Sequence, residues 1–428
     1  MRRETPAVAA RVAVRQTIIG FVLVMALAPM ALSSPAHAAT QSVCGPSAGS
    51  TLCVTAPAGT ASGEVTISAT YSGATAARIE FTWLGRYLNH EYVSPYRFIW
   101  PTHKYLDASG VLAARAIRGA VTGAYVQVPL RLANGNTTSV PRNPADWQQL
   151  FQPQSWTGAP TIAAVGNGGA KKPAELGLLG SIRNSRPAVF LYLGEVHEFG
   201  SWATRRDHYG LASFDDRNGS GTLWGSMARY TAYTQGNHES GEYTEVLRDY
   251  WHQRPLWTTF RVGGVRVLQL NSECGRNGGC GPGSPQYVWL DQQLRANTDR
   301  CVIAFWHRAV ISNDADRSGP AMNDLWALLA RNGGDLALVA HTRDMSETRP
   351  LNAALQAGRP DSHMVELVSG AAGARWVANL RPDARVAWRQ YQVPGAVYVT
   401  PDTAGAPRLL WRFRDSGGNT LRSGSVTC

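Results

Sequence analysis

LYLGEVHEFGSW (191–202) and YTQGNHES (233–240) are built alike. Each opens on apolar or aromatic residues and then turns, at a glycine, into side chains rich in nitrogen and oxygen. AAVGNGG (163–169), VIAFWHRAV (302–310) and LALVAHTRD (336–344) repeat the pattern, with or without the glycine. The apolar runs predict strands over Thr161–Val165, Ala188–Leu193, Arg229–Thr234, Val302–Phe305 and Leu336–Val339. Helices fall between them. Ser284 can cap a helix that has Pro285 in its first turn. Met322, Leu325, Trp326 and Leu329 fall at i, i+3, i+4 and i+7, a buried helical stripe. TTFRVGGVRVLQL (258–270) reads as a hairpin across Gly263-Gly264. Strand and helix alternate, and polar residues gather where strands finish. Residues 159–428 are therefore expected to form an α/β domain with its site at the strand ends.

Upstream, the period changes to two. Val65, Ile67, Ala69 and Tyr71 alternate with polar residues. Ile79, Phe81 and Trp83 form a second face, Tyr96, Phe98 and Trp100 a third, and Val126, Val128, Leu130 and Leu132 a fourth. Several short strands within 42–133 predict an all-β, immunoglobulin-like sandwich. Its aromatics are expected in the core, the alternative being a carbohydrate-binding face. NGNTTSVPRNPADWQQLFQPQSWTG (134–158) has no period and is expected to be a linker.

The start of the chain carries Arg2, Arg3, Arg11 and Arg15, then the apolar run Thr17–Leu32, then Ala36-His37-Ala38. That order predicts a secretory signal peptide over 1–38, cleaved after Ala38. The alternative is a membrane anchor, but the run is short and Pro29 interrupts it. No later stretch reaches spanning length, so no transmembrane segment is expected after cleavage, and the protein is expected to be secreted or otherwise extracytoplasmic. Six cysteines in an exported chain read as disulfides. Short loops suggest Cys44–Cys53 and Cys274–Cys280, which leaves Cys301 with Cys428; zinc binding is the rival, without a CxxC pair to support it. The 428 residues carry a formal net charge of +11. Lys104, Lys171 and Lys172 are the only lysines, and the arginines are spread without runs. No dedicated nucleic-acid interface is expected.

The run AAVGNGG … LYLGEVHEFGSW … YTQGNHES … VIAFWHRAV … LALVAHTRDMSETRPL … LVSGAAG, with the ending RSGSVTC, resembles the calcineurin-like metallophosphoesterases. The resemblance is to an exported bacterial branch with an N-terminal immunoglobulin-like module. It implies a C-terminal four-layer α/β/β/α domain and two metal ions about 3.5–4 Å apart that orient a phosphate ester and activate water.

This chain departs from the family pattern at several ligands. Asn167 stands where the first Asp is expected, Gly169 provides no ligand, and Glu195 replaces the bridging Asp. Arg308-Ala309 replaces the residues that usually follow the ligand His307. Ala340 replaces a Gly, and Arg343 stands at the second His of the last motif. Asn237, His238, Glu239, His307 and His341 match. The resemblance then implies that the first metal site is lost, because Arg343 has no lone pair and repels a cation. One divalent ion (zinc, manganese or iron) is expected on Glu195, Asn237, His307 and His341. His238 and Arg343 are the expected catalytic groups, and Glu239 is expected to orient its neighbours. His197, Glu198 and Asp344 are expected to be ordinary loop residues, with a compensating ligand as the alternative. Three readings follow. The first is a secreted phosphoesterase with an altered, single-metal site. The second is a catalytically inactive fold whose pocket binds an anion or is purely structural. The third is an envelope-associated module whose sandwich does the binding. The expected partner is a phosphate-containing small molecule or an envelope component.

Overall fold

The computed structural model describes residues 39–73, 78–140, 151–168, 173–195, 200–209, 224–251, 254–312, 319–374, 381–402 and 405–428. The expected signal peptide lies outside them, as do Gly169, His197 and Glu198. Residues 39–428 form one compact unit.

Its N-terminal part holds two sheets. One runs, in spatial order, Thr40–Ser47, Ser50–Pro57, Glu64–Tyr71 and Tyr96–Pro101. The other runs Thr60–Ala61, Val126–Leu132, Ser109–Arg118, Arg78–Trp83 and Arg86–Glu91. Along Val126–Leu132 every second residue is buried and the residues between are exposed, as a strand with one face on a core requires. Ile67, Phe98 and Trp100 of the first sheet share a single core with Phe81, Leu112 and Val128 of the second. The aromatics lie in that core, as their alternation predicts.

Two further sheets build the C-terminal part. The first is ordered Thr231–Tyr233, Val189–Tyr192, Ile162–Val165, Gly395–Asp402, Arg408–Asp415 and Thr420–Thr427. Its first three strands are parallel and the rest antiparallel. The second is ordered Thr258–Val262, Val265–Gln269, Cys301–Arg308, Leu336–Ala340, Val365–Ser369, Met345–Thr348 and Val386–Gln390, with a parallel centre. Ile162, Leu191 and Val397 of one sheet pack with Val267, Ile303 and Leu338 of the other in one apolar layer. The opposite face of the first sheet packs on helices Pro173–Asn184, Trp202–Tyr209 and Thr244–Tyr250. The opposite face of the second packs on Pro285–Arg295 and Asn323–Arg331. The layer order is helix, sheet, sheet, helix. The parallel strands of both sheets are covered on both faces, which is why they are buried throughout rather than alternating.

Local expectations are met where the chemistry is local. Ser284 Oγ accepts the Tyr287 N–H at 3.3 Å and caps the helix that Pro285 begins. Gly263 and Gly264 both have positive φ at the hairpin tip. The stretch Arg229–Thr234 differs. Trp224–Tyr230 is a 3₁₀ helix, and the strand is only Thr231–Tyr233. Trp224 and Met227 are anchored in the core, and this holds the chain helical up to the sheet. The expected linker is pinned at both ends. Asn136 Nδ2 donates to the carbonyls of His103 and Tyr105, and Gln152 and Gln154 N–H groups bond Arg229 and Ala188 carbonyls. Residues 141–150 lie outside the described residues.

Disulfides join Cys44 to Cys53, Cys274 to Cys280 and Cys301 to Cys428. The last of these fixes the final residue to a central strand of the second C-terminal sheet. Among the described residues no helix is long and apolar enough to cross a membrane.

Candidate metal centre

Five parallel strands bring their carboxyl ends to one place. Asn167 follows Ile162–Val165, Glu195 follows Val189–Tyr192, and Asn237 follows Thr231–Tyr233. His307 lies near the end of Cys301–Arg308, and His341 follows Leu336–Ala340. The backbone there is strained. Among the described residues nine non-glycine residues have positive φ, and Asn167, Glu195, His341 and Arg343 are four of them. Such conformations cost about 1–3 kcal/mol each and persist where surrounding contacts over-determine them. Two glycines permit the close approach of the loops. A Cβ on Gly194 would lie 2.7 Å from His307 Nδ1, and one on Gly236 would lie 2.6 Å from Glu195 N.

Glu195 is the hub and is 2% exposed. Its two carboxylate oxygens face different surroundings. Oε2 accepts a hydrogen bond from Asn167 Nδ2 and lies 3.5 Å from Arg343 Nη2. Oε1 is buried without a hydrogen-bond partner. It lies 3.4 Å from His307 Nε2, 3.6 Å from His341 Nδ1 and 3.6 Å from His238 Nε2. Burial opposes the carboxylate charge, but the two imidazoles and Arg343 outweigh it and hold Glu195 well below the usual range. Burial likewise opposes a charge on His307; the Glu195 carboxylate overcomes that and raises it. For His341 burial prevails, aided by the charges of His307 and Arg308, and its pKa falls to about 4.

The imidazoles are oriented by their neighbours. His307 Nδ1 lies 2.7 Å from the Leu193 carbonyl, which can only accept, so Nδ1 carries a proton. His307 Nε2 then faces Asn237 Oδ1 at 3.0 Å and His341 Nδ1 at 3.1 Å. Glu239 is fully buried, and its Oε2 accepts both the Gly236 N–H at 2.9 Å and the Glu195 N–H at 3.0 Å. It ties the loop bearing Asn237 and His238 to the loop bearing Glu195. Asn167 Oδ1 accepts the His341 N–H at 2.7 Å, so this residue braces two loops as well as the carboxylate.

Ligand atoms of Glu195, His307 and His341 lie within 4.8 Å of one another. Tetrahedral coordination at ordinary zinc distances separates neighbouring ligands by about 3.3 Å. The separations around His307 Nε2, from 3.0 Å to Asn237 up to 3.4 Å to Glu195, are of that size. A buried carboxylate oxygen without a donor, beside imidazoles and an amide oxygen, is a donor set that fits a divalent cation. Asn167 and Arg343 both turn donors on Glu195 Oε2. Among the described residues the other cluster of potential ligands, Cys301, Asp335 and Cys428, contains a disulfide and offers no thiolate.

The structure therefore brings Glu195, Asn237, His238, His307, His341 and Arg343 together. Asp344 is buried and bonds the Thr342 hydroxyl. Trp202, Trp224 and Trp251 are buried and Trp257 is half-buried. Sequence reading missed Glu273, which holds Arg308 through Nε–Oε1 at 2.6 Å while Arg308 Nη1 lies 3.2 Å from His341 Nε2. The one sequence signal was an arginine directly after His307, the expected ligand.

Glu366 supports the site from behind. Its carboxylate accepts the Val310 and Ile311 N–H groups at 2.8 and 3.0 Å, just beyond His307. Burial pushes its pKa from 4.5 up to about 8. The folded chain therefore binds a proton here that the unfolded chain has released. Stability should fall as pH rises from about 4.5 to about 8, by at most about 1.4 kcal/mol per pH unit. Glu366→Gln should flatten that slope in urea denaturations across the window. An unchanged slope would show that Glu366 ionises normally.

The chain matches no protein-family model and no curated protein. Among solved structures it is similar to purple acid phosphatase PPD1 from yellow lupin (Lupinus luteus) seeds, at 12% identity over 88% of this chain and 79% of that one, with a TM-score of 0.47. It is similar to GAP50, the anchor in the inner membrane complex of Plasmodium, at 14% identity over 63% and 89%, with a TM-score of 0.47. It is also similar to PhoD, at 12% identity over 90% and 92%, with a TM-score of 0.40. These are loose likenesses, all with TM-scores below 0.5.

Proposed function

We propose that the protein is an exported hydrolase of phosphate esters with a metallophosphoesterase-type fold and a single-metal site. Glu195, Asn237, His307 and His341 would hold the ion (zinc, manganese or iron), and Arg343 would stand where a second ion is lost. The observation that carries this is the division of Glu195. One oxygen is occupied by Asn167 and Arg343, while the other is buried without a donor beside His307 and His341.

A bound ion would supply Lewis acidity toward a phosphoryl oxygen and a lowered pKa for water. The remaining tasks fall to the chain. Arg343 presents a forked donor suited to phosphoryl oxygens. His238 sits at the rim with its side chain 27% exposed. There it can give a proton to the leaving oxygen as the ester P–O bond breaks and the bond to the water oxygen forms. The substrate would be a phosphate-containing small molecule. Secretion is supported by the leader pattern and three disulfides. We also infer an immunoglobulin-like module over 42–133, a connecting segment over 134–158 and a phosphoesterase domain over 159–428.

An inactive, anion-binding fold is the second reading. It is favoured by the hydrogen bonding of His341 to Arg308 and His307, which occupies both ring nitrogens without an ion.

Elemental analysis after mild dialysis, with turnover of an aryl phosphate before and after chelation, tests the proposal. At most one equivalent of metal and chelator-sensitive turnover are expected. Two equivalents, or turnover that survives chelation, would overturn it.

A further inference from the structure

Arg308 is held at both ends, its guanidinium by Glu273 and its backbone by Ser272. Glu273 accepts its Nε at 2.6 Å and its Nη2 at 3.4 Å, and the Arg308 N–H bonds Ser272 Oγ at 3.1 Å. Glu273 is itself held. Its N–H bonds Asn271 Oδ1, its carbonyl accepts Asn277 Nδ2, and the disulfide Cys274–Cys280 closes the loop that follows. Fixed in this way, Arg308 leaves Nη1 3.2 Å from His341 Nε2.

An arginine donates and cannot accept. His341 Nε2 must then present its lone pair to Arg308, and the proton of the neutral ring lies on Nδ1. Nδ1 faces His307 Nε2 at 3.1 Å, and His307 Nδ1 donates onward to the Leu193 carbonyl at 2.7 Å. A cation on Glu195 and His307 needs the His341 Nδ1 lone pair. The ring proton would have to move to Nε2, where it would meet the Arg308 Nη1 hydrogens head-on. Arg308 could withdraw only by leaving Glu273.

We propose that Arg308 is a positioning residue that holds His341 with its proton on Nδ1 and thereby weakens cation binding at this centre. The inference rests on the single-metal reading above and assigns the chain its own brake on that site. A ligand to a charged donor, once opposed by that donor, loses on the order of tenfold or more in affinity.

The test compares the full chain with Arg308→Gln and Arg308→Lys. A glutamine oxygen can accept from Nε2–H, whereas lysine can only donate. Zinc affinity is measured by competition with a chromophoric chelator, and the His341 tautomer by ¹⁵N chemical shifts of the metal-free protein. Arg308→Gln should bind zinc about tenfold or more tighter than the parent. Arg308→Lys should stay near it, and the parent ring should show Nδ1–H. Equal zinc affinity in parent and Arg308→Gln, with Nε2–H in the parent, overturns the role of Arg308 and leaves the single-metal reading standing. Zinc bound by none of the three chains overturns both.

Discussion

A chain carrying Asn167→Asp, Glu195→Asp and Arg343→His is expected to hold two equivalents of divalent metal and to hydrolyse an aryl phosphate about a hundredfold or more faster than the parent. In the parent, Glu195 Oε2 is already served by an amide and a guanidinium. The substitutions remove the fixed positive charge beside that oxygen and put two carboxylates and an imidazole in place. Arg343→Ala alone should lower any native turnover by about a hundredfold without adding metal, because the phosphoryl group loses its forked donor. Metal content by elemental analysis and steady-state rates check both chains. A triple variant that still holds one ion or none would mean that Arg343 does not stand in for a lost cation.

The fold was legible wherever a rule acts over a few residues. Apolar runs ending in polar loops located the strands that carry Asn167, Glu195, Asn237, His307 and His341. The Gly263-Gly264 tip and the Ser284 cap could be read in the same way. What escaped depends on contacts far apart in sequence. Arg308 and Glu273 are 35 residues apart, and nothing near either one announces the pair. The left-handed backbone at Glu195 and Arg343 is invisible because neither residue type favours it. The helix Trp202–Tyr209 reads WATRRDHY, with no apolar stripe, yet every one of its residues is buried.

The second large effect is expected at Glu239. Its Oε2 accepts two buried backbone N–H groups, one in each of the two loops it joins. Glu239→Ala should leave both donors unmet and cost about 2–5 kcal/mol in urea denaturation. It should also weaken binding of a divalent ion at the proposed site, since Glu195 and Asn237 lose their common anchor. Glu239→Gln should cost about 1 kcal/mol or less, because a single oxygen accepts both bonds and the amide keeps one. Equal stability of the alanine variant and the parent would mean that solvent reaches those donors.

The helix Trp202–Tyr209 begins seven residues after Glu195. Its Ala203 lies in the core of the N-terminal sandwich, Ser201 Oγ and Thr204 Oγ1 bond the Leu88 carbonyl, and Arg206 pairs with Glu64 at 2.7 Å. The polypeptide that leaves the candidate site is thus threaded into its neighbour before it returns. Excising residues 159–428 would strand that helix without the apolar wall that receives it. The two parts are inseparable in the engineering sense: the sandwich is not cargo that can be grafted elsewhere, and the C-terminal part carries within its own sequence the plug that completes it.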